Sequence, residues 1–429
     1  MSMTTALSWP TLTSHLLTKT DPKTNPTNPQ SLVRTFGKVD EADIRVTLYR
    51  DHHAWCPYCQ KIWLYLEEAQ IPYKVSKVTM FCYGEKEPAY KSIVPSGMLP
   101  AMSLDGNIIT ESDQLLFHLE EVFGPMLPTT PLLSSPTVLP MRKLERKLFG
   151  AWCDWLCRRQ LPGGEGRAER QFRAVASEVD AVLAAADGPF LLGDFSVADV
   201  IITPYIERMS ASLAYYKDFQ LRGEFSNINI WFEAMEKKTT YLGTQSDFHT
   251  HAHDLPPQMG MCVASNSKAQ MQTASEIDGG LGVANHFQYE TSVAKEEGGL
   301  AEREALTRCY IHRKILGVVN PMEDESKFDE ALRAALSNLL ADSDSDSDSV
   351  GKLVKPPAGS AVGLRYLRDR VSVPRDMGLH AARVLRAALE KTAALDGAGQ
   401  GPEIRSSDRR DQNPKPFVMA KELRRNAEL

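Results

Sequence analysis

Long apolar runs are missing from this 429-residue chain: no stretch approaches the roughly 20 apolar residues that a membrane helix needs. An excess of positive charge is missing too. The formal net charge of -6 argues against non-specific affinity for nucleic acid or for an acidic membrane surface. Cysteine is scarce, and the count of seven is odd, which does not fit the fully paired disulfide framework of a small secreted protein. A reducing compartment is therefore expected, the cytoplasm first, with a plastid or other organelle as the alternative. Residues 1–40 are rich in Ser, Thr and Pro but lack the apolar core of a secretory signal. They read as a flexible lead-in.

What is present begins at residue 44. "IRVTLYR" (44–50) alternates apolar and polar side chains as a strand does. From Trp55 to Ala69 the period lengthens, and Ile62, Leu66 and Ala69 recur as on the buried face of a helix. "IPYKVSKVTM" (71–80) reads as a second strand, and the charged piece 84–93 as helical. "LPAMSL" and "IIT" flank Asp-Gly-Asn (105–107), where Asp-Gly favours the tight left-handed turn of a hairpin. "ESDQLLFHLEEVFG" (111–124) is a helix that stops at Gly124. The order is βαβαββα over 41–126.

After the Pro/Ser-rich linker 128–140, strand signals nearly vanish. Amphipathic helices are expected over 141–160, 169–187, 196–216 and 228–243, so 138–248 is an all-helical domain. Ser196 and Asp199 have the spacing of a capping box, with Asp in place of the usual Glu. From residue 250 the pattern weakens, and "HTHAHDLPPQMG" reads as irregular. His249, His251 and His253 would share one side of an extended segment there, but the following prolines favour a linker over a metal site. Helices resume over 301–318, 324–341 and 377–395, giving a helical extension over 260–395. The run "DSDSDSDS" (342–349) is an acidic solvated loop, and 396–429 a disordered tail. "RYLRDRVSVPRD" with Arg383 and Arg386 reads as a solvated or salt-bridged face.

The chemistry lies in "HHAWCPYCQK" (52–61), where Cys56 and Cys59 stand at a strand-to-helix junction. A structural zinc site needs four ligands, and no second C-x-x-C exists, so no metal is expected. A static disulfide suits a reducing compartment poorly. Thiol chemistry remains, and the position has a mechanism. A cysteine at a helix start faces unpaired N–H groups and the positive end of the helix dipole, both of which favour thiolate. Pro57 suits the first helical turn, where its missing N–H costs nothing. Cys56 is then the exposed nucleophile, and Cys59 is placed one turn inside as a resolving thiol. His52 and His53 are assigned no role.

C-P-Y-C after a strand, in this element order, resembles the glutaredoxin branch of the thioredoxin-like fold. With the helical block behind it, the chain resembles a cysteine-type glutathione transferase of the omega kind. "VPSGMLPAM" (94–102) resembles that family's cis-proline segment and "TESDQLL" (110–116) its Glu-Ser pair. The resemblance implies a thioredoxin-like domain followed by an all-helical domain, with glutathione as co-substrate. It implies that Leu99 offers its backbone to the cysteinyl part of glutathione and that Pro100 is cis. Glu111 and Ser112 would take the γ-glutamyl group, and Lys86 the glycine carboxylate. Ser196 and Asp199 would be structural. Trp152, Trp155, Tyr205, Tyr215 and Tyr216 are core aromatics, one or two of which would line an acceptor cleft between the domains.

The implied activity is glutathione-dependent thiol transfer or reduction through a Cys56 mixed disulfide. Its partner would be an oxidised or electrophilic small molecule or a protein mixed disulfide, and the family's usual homodimer is the expected assembly. Two departures keep alternatives open. Cys59 makes a dithiol where omega members carry one cysteine, and residues 250–429 lie beyond the family's usual end. Conjugation of glutathione to electrophiles, or a non-catalytic scaffold, are the rival readings.

Overall fold

The computed structural model describes residues 5–18, 21–159, 166–278, 299–319, 324–341 and 353–396. The acidic run 342–349 and the tail from 397 lie outside the described residues. Two compact units divide the chain. One is Thr20–Ala274 with Gln288–Val293, and the other is Met1–Lys19, Ser275–Phe287 and Ala294–Leu429.

In the first unit the alternating segment becomes β2 (Val46–Asp51), the centre of a five-stranded sheet. Its neighbours are β3 (Tyr73–Val78), parallel to it, and β4 (Ala101–Leu104), antiparallel. β5 (Asn107–Thr110) closes the hairpin through Asp105 and Gly106, both at positive φ, as Asp-Gly predicts. β1 (Val33–Arg34) adds an antiparallel edge to β3. Helices α2 (Pro57–Glu68), α3 (Pro88–Ile93) and α4 (Ser112–Phe123) complete the thioredoxin-like domain.

β1 corrects the flexible lead-in. Residues 21–36 are held because Arg34 is buried and its guanidinium makes a two-point pair with Glu67, at 2.8 and 2.9 Å. Tyr73 adds a hydroxyl donor to the same carboxylate, at 2.7 Å. A buried ion pair of this geometry, with its remaining atoms hydrogen-bonded, is stable only when the chain around it stays in place.

The all-helical domain holds α5 (Val138–Cys157), α6 (Arg167–Ala185), α7 (Val197–Lys217), α8 (Leu221–Glu224), α9 (Ser226–Met235), α10 (Thr239–Thr244) and α11 (Phe248–Met259). α7 is its centre: every residue from Val197 to Ala214 is buried. The expected capping box starts it. Asp199 accepts from the Ser196 N–H and hydroxyl, and from Leu191 N–H and Trp231 Nε1–H at 3.0 and 2.9 Å. α2 packs on α7, so the two domains share one core.

α11 corrects the irregular reading of 248–259. Two prolines, Pro256 and Pro257, sit inside this helix. Pro256 has no N–H to give the carbonyl four residues back, and the Tyr216 hydroxyl donates to that carbonyl, Ala252 O, instead (2.9 Å). The helix also abolishes the shared face of the three histidines, since His251 points away from His249 and His253. α12 (Lys268–Ile277) follows.

The second unit contains α1 (Trp9–Thr13), which corrects the lead-in again, with α13 (Leu300–Val319), α14 (Glu325–Ala341), α15 (Ala361–Arg370) and α16 (Leu379–Ala394). Leu12, Leu306, Leu336, Leu364 and Leu385 belong to its core. The basic stretch is salt-bridged but buried: Glu390 pairs with Arg365 and Arg368, and Arg375 with Asp376. Among the described residues no helix is long and apolar enough to cross a membrane.

Candidate active site

Cys56 is the N-cap of α2, with Pro57 in the first turn. The turn that delivers it is anchored by Asp51, the last residue of β2. One carboxylate oxygen accepts from Trp55 N–H (2.8 Å) and the other from Cys56 N–H (3.2 Å). Asp51 is fully buried, and burial pushes its carboxyl above the ordinary range even with those two donors and the nearby Arg50 and Arg208.

Cys56 is not exposed, which corrects that expectation: only 7 % of its surface is accessible. The cause is the helical domain, because Arg208 of α7 closes over the loop. Its guanidinium stacks on the Trp55 ring, with 4.6 Å from carbon to centroid, and donates to the Trp55 carbonyl. It also donates to Gln60 Oε1 at 2.9 Å and lies within electrostatic reach of Cys56. Trp55 Nε1–H donates to His251 Nδ1 (3.0 Å), which leaves the proton on Nε2, 2.7 Å from Glu207 Oε1. Glu207 further accepts from Gln60 Nε2 at 3.2 Å and Ser246 N–H at 2.9 Å. One buried polar network thus ties the cysteine loop to α7 and α11.

Cys59 is buried beneath Cys56. Burial pushes its thiol well above the ordinary value, and the neighbouring Cys56 sulfur and Asp51 push the same way.

The other expected residues gather at the same edge. The Leu99–Pro100 bond is cis. Ala101 lies opposite Tyr49 on one side and Thr110 on the other, so Pro100 comes level with Arg50 and with Glu111. Glu111 is exposed, at φ 67°, and caps α4, while Ser112 begins that helix and is buried. Lys86 is half-buried with both sulfurs in electrostatic reach, and donates to Thr79 O at 3.0 Å. The Tyr90 hydroxyl donates to Met98 O at 2.5 Å, holding the loop before the cis bond. On the helical side, Tyr205 stacks edge-on to Tyr58 and Phe149, with Arg146 over its ring at 4.6 Å. Trp152, Trp155 and Tyr205 are core, and Tyr216 supports α11.

Asp51, Arg208, Glu207 and His251 are the residues that sequence reasoning missed. One signal was available: Glu207–Arg208 is a charged pair in the middle of a helix that carries no other charge between Asp199 and Lys217. Asp51, Cys56 and Cys59 also bring three possible ligand atoms within 4.8 Å of one another. Asp51 spends each of its oxygens on one backbone N–H group.

Residues 55–122 match the family model described as glutathione S-transferase, N-terminal domain, and residues 146–242 match glutathione S-transferase, C-terminal domain. Among curated proteins, Glutathione S-transferase DHAR2 of Arabidopsis thaliana is 25 % identical over 196 residues, which is 44 % of this chain and 84 % of that one. Glutathione S-transferase L3 of the same plant is 25 % identical over 198 residues, 45 % of this chain and 79 % of that one. Among solved structures, glutathione transferase Omega 3C from Trametes versicolor is 27 % identical with a TM-score of 0.40, covering 47 % of this chain and 85 % of that chain. The two glutathione S-transferase domains, N-terminal then C-terminal, are thus matched in order within residues 55–242.

Proposed function

We propose that the chain is a cysteine-type, glutathione-dependent thiol transferase. The observation that carries this reading is Cys56 itself, a sulfur capping α2 with its backbone pinned by Asp51 and a buried Arg208 beside it. A transferase that only conjugates glutathione needs a hydroxyl to steady the glutathione thiolate, whereas a cysteine there is itself the nucleophile.

In the proposed cycle the Cys56 thiolate attacks the glutathione sulfur of a mixed disulfide. The substrate S–S bond breaks, and the departing thiolate takes a proton from water. Cys56 now carries glutathione through a new disulfide. A second glutathione thiolate attacks the glutathione sulfur of that bond, releasing glutathione disulfide and restoring Cys56. Cys59 is held as a thiol by burial, so it is a poor attacking group, and resolution falls to glutathione. During the cycle Leu99 would present its backbone, Glu111 would meet the γ-glutamyl ammonium and the α4 start with Ser112 its carboxylate. Lys86 would face the glycine carboxylate. Tyr58, Phe149 and Arg146 would receive the acceptor, an aromatic edge backed by the buried Tyr205 ring with one cation beside it.

The test is glutathione-dependent reduction of a small mixed disulfide by the wild type, Cys56→Ser and Cys59→Ser, with conjugation to an aromatic halide measured in parallel. The reading expects Cys56→Ser to be inactive and Cys59→Ser to retain most of the reduction. Undiminished reduction by Cys56→Ser would sink it.

A further inference from the structure

Of the five cysteines outside this site, three lie near one another. Cys153 and Cys157 lie one turn apart on α5, and Cys262 lies in the segment 260–267 that follows α11. The backbone pins that segment to the helical domain. Val263 N–H donates to Leu156 O at 2.7 Å, and Ser265 N–H to Tyr216 O at 2.8 Å. The first of these bonds joins the neighbours of Cys157 and Cys262 and sets the two thiols within hydrogen-bonding reach of each other. Both are partly buried against the main core, and so retain access to solvent.

The surroundings make the pair unequal. The hydrogen bond from Cys262, with Lys217 at the end of α7 and Arg158, holds Cys157 below the ordinary thiol value. The same hydrogen bond and burial push Cys262 well up, against Lys217, which acts on both sulfurs. Cys153 is pushed up to about 12, chiefly by burial, and is a spectator. Among the described residues these three do not converge as a metal-binding group. An attacking sulfur biased toward thiolate beside a protonated partner is the arrangement that closes a disulfide in two steps.

We propose that Cys157 and Cys262 are a second thiol–disulfide pair, which a low-molecular-weight disulfide oxidises to clasp the segment after α11 onto α5. The Cys157 thiolate attacks one sulfur of the oxidant, its S–S bond breaks, and one thiolate leaves. With Cys157 now in a disulfide, the hydrogen bond that chiefly held the Cys262 proton is gone, so Cys262 loses that proton to the solvent and attacks the Cys157 sulfur, and the second thiolate leaves. The two cysteines give up two electrons, and the oxidant becomes two thiols. The mixed-disulfide stage makes Cys157, rather than Cys262, the residue that carries the small thiol in passing.

The test treats the full chain with glutathione disulfide, blocks remaining thiols with a maleimide and maps the peptides. A Cys157–Cys262 linkage is expected in the wild type and in Cys56→Ser, which separates this pair from the other site. In Cys262→Ala the reaction should stop with glutathione on Cys157, and Lys217→Met should slow that modification about fivefold. A Cys153–Cys157 linkage, or Cys157 and Cys262 both left open to maleimide while Cys56 is modified, would overturn the proposal.

Discussion

Arg208, in the middle of the central helix of the helical domain, donates a hydrogen bond to the carbonyl of Trp55, the residue immediately before Cys56. The nucleophile's loop is therefore built jointly by two domains, and the same guanidinium brings it positive charge. Arg208→Met should lower the alkylation rate of Cys56 at neutral pH about tenfold. It should also destabilise the fold by about 1–3 kcal/mol for each acceptor left unpaired, Trp55 O and Gln60 Oε1 among them. Arg208→Lys should recover part of the alkylation rate but little of the stability, because an ammonium cannot span those acceptors. Iodoacetamide kinetics and urea denaturation read the two effects separately.

His251 makes the same network pH-sensitive. Burial holds its imidazole below the ordinary value of 6.5, with Arg208 acting the same way and Glu207 opposing. Protonation would place a second N–H against Trp55 Nε1–H, donor against donor. The unfolded chain binds the proton first, so stability is full above about pH 6.5 and falls as the pH drops below it, by at most about 1.4 kcal/mol per pH unit for this one group. Glu207 is depressed below its ordinary 4.5, so its contribution is present above that value and is lost only as pH falls through the lower folded one. His251→Gln should flatten the first window and leave the second. Urea midpoints measured between pH 4 and 8 would show it, and an unchanged slope in the variant would contradict the assignment.

Thr27 and Gly243 test whether the early residues are structural. A Cβ on Gly243 would overlap the Thr27 carbonyl oxygen, and the Thr27 hydroxyl accepts from Trp63 Nε1–H at 3.1 Å. Gly243→Ala should cost about 1–3 kcal/mol through this clash and make residues 21–31 more susceptible to protease. Unchanged cleavage would mean that the segment is not seated on α10.

Asp199 serves four donors at the start of α7. Asp199→Ala should destabilise the helical domain by about 3–5 kcal/mol, since buried N–H groups of Leu191, Ser196 and Trp231 lose their acceptor. Ser196→Ala should cost only about 1 kcal/mol. Thermal denaturation followed by Trp fluorescence distinguishes them, and equal losses would count against the shared-acceptor account.

Much of this was legible because the informative signals are local. Asp105–Gly106 turns the hairpin, Pro57 starts α2 beside Cys56, and Ser196–Asp199 opens α7, each through contacts within a few residues. The parts that were not legible depend on distant partners. β1 exists because Arg34 meets Glu67 across 33 residues, and in α11 the donor that Pro256 lacks comes from Tyr216. Cys56 looked exposed because nothing near it in sequence covers it, whereas Arg208 lies more than 150 positions away and closes the loop. Periodicity and spacing carry no record of such pairs.

The most direct measurement is the mass of the Cys59→Ser chain after a brief exposure to glutathione disulfide, with the modified peptide sequenced. The account predicts one glutathione on Cys56, removed by adding reduced glutathione, and no such adduct there in Cys56→Ser. An unmodified Cys56, under conditions where the chain is folded and other thiols react, would contradict it.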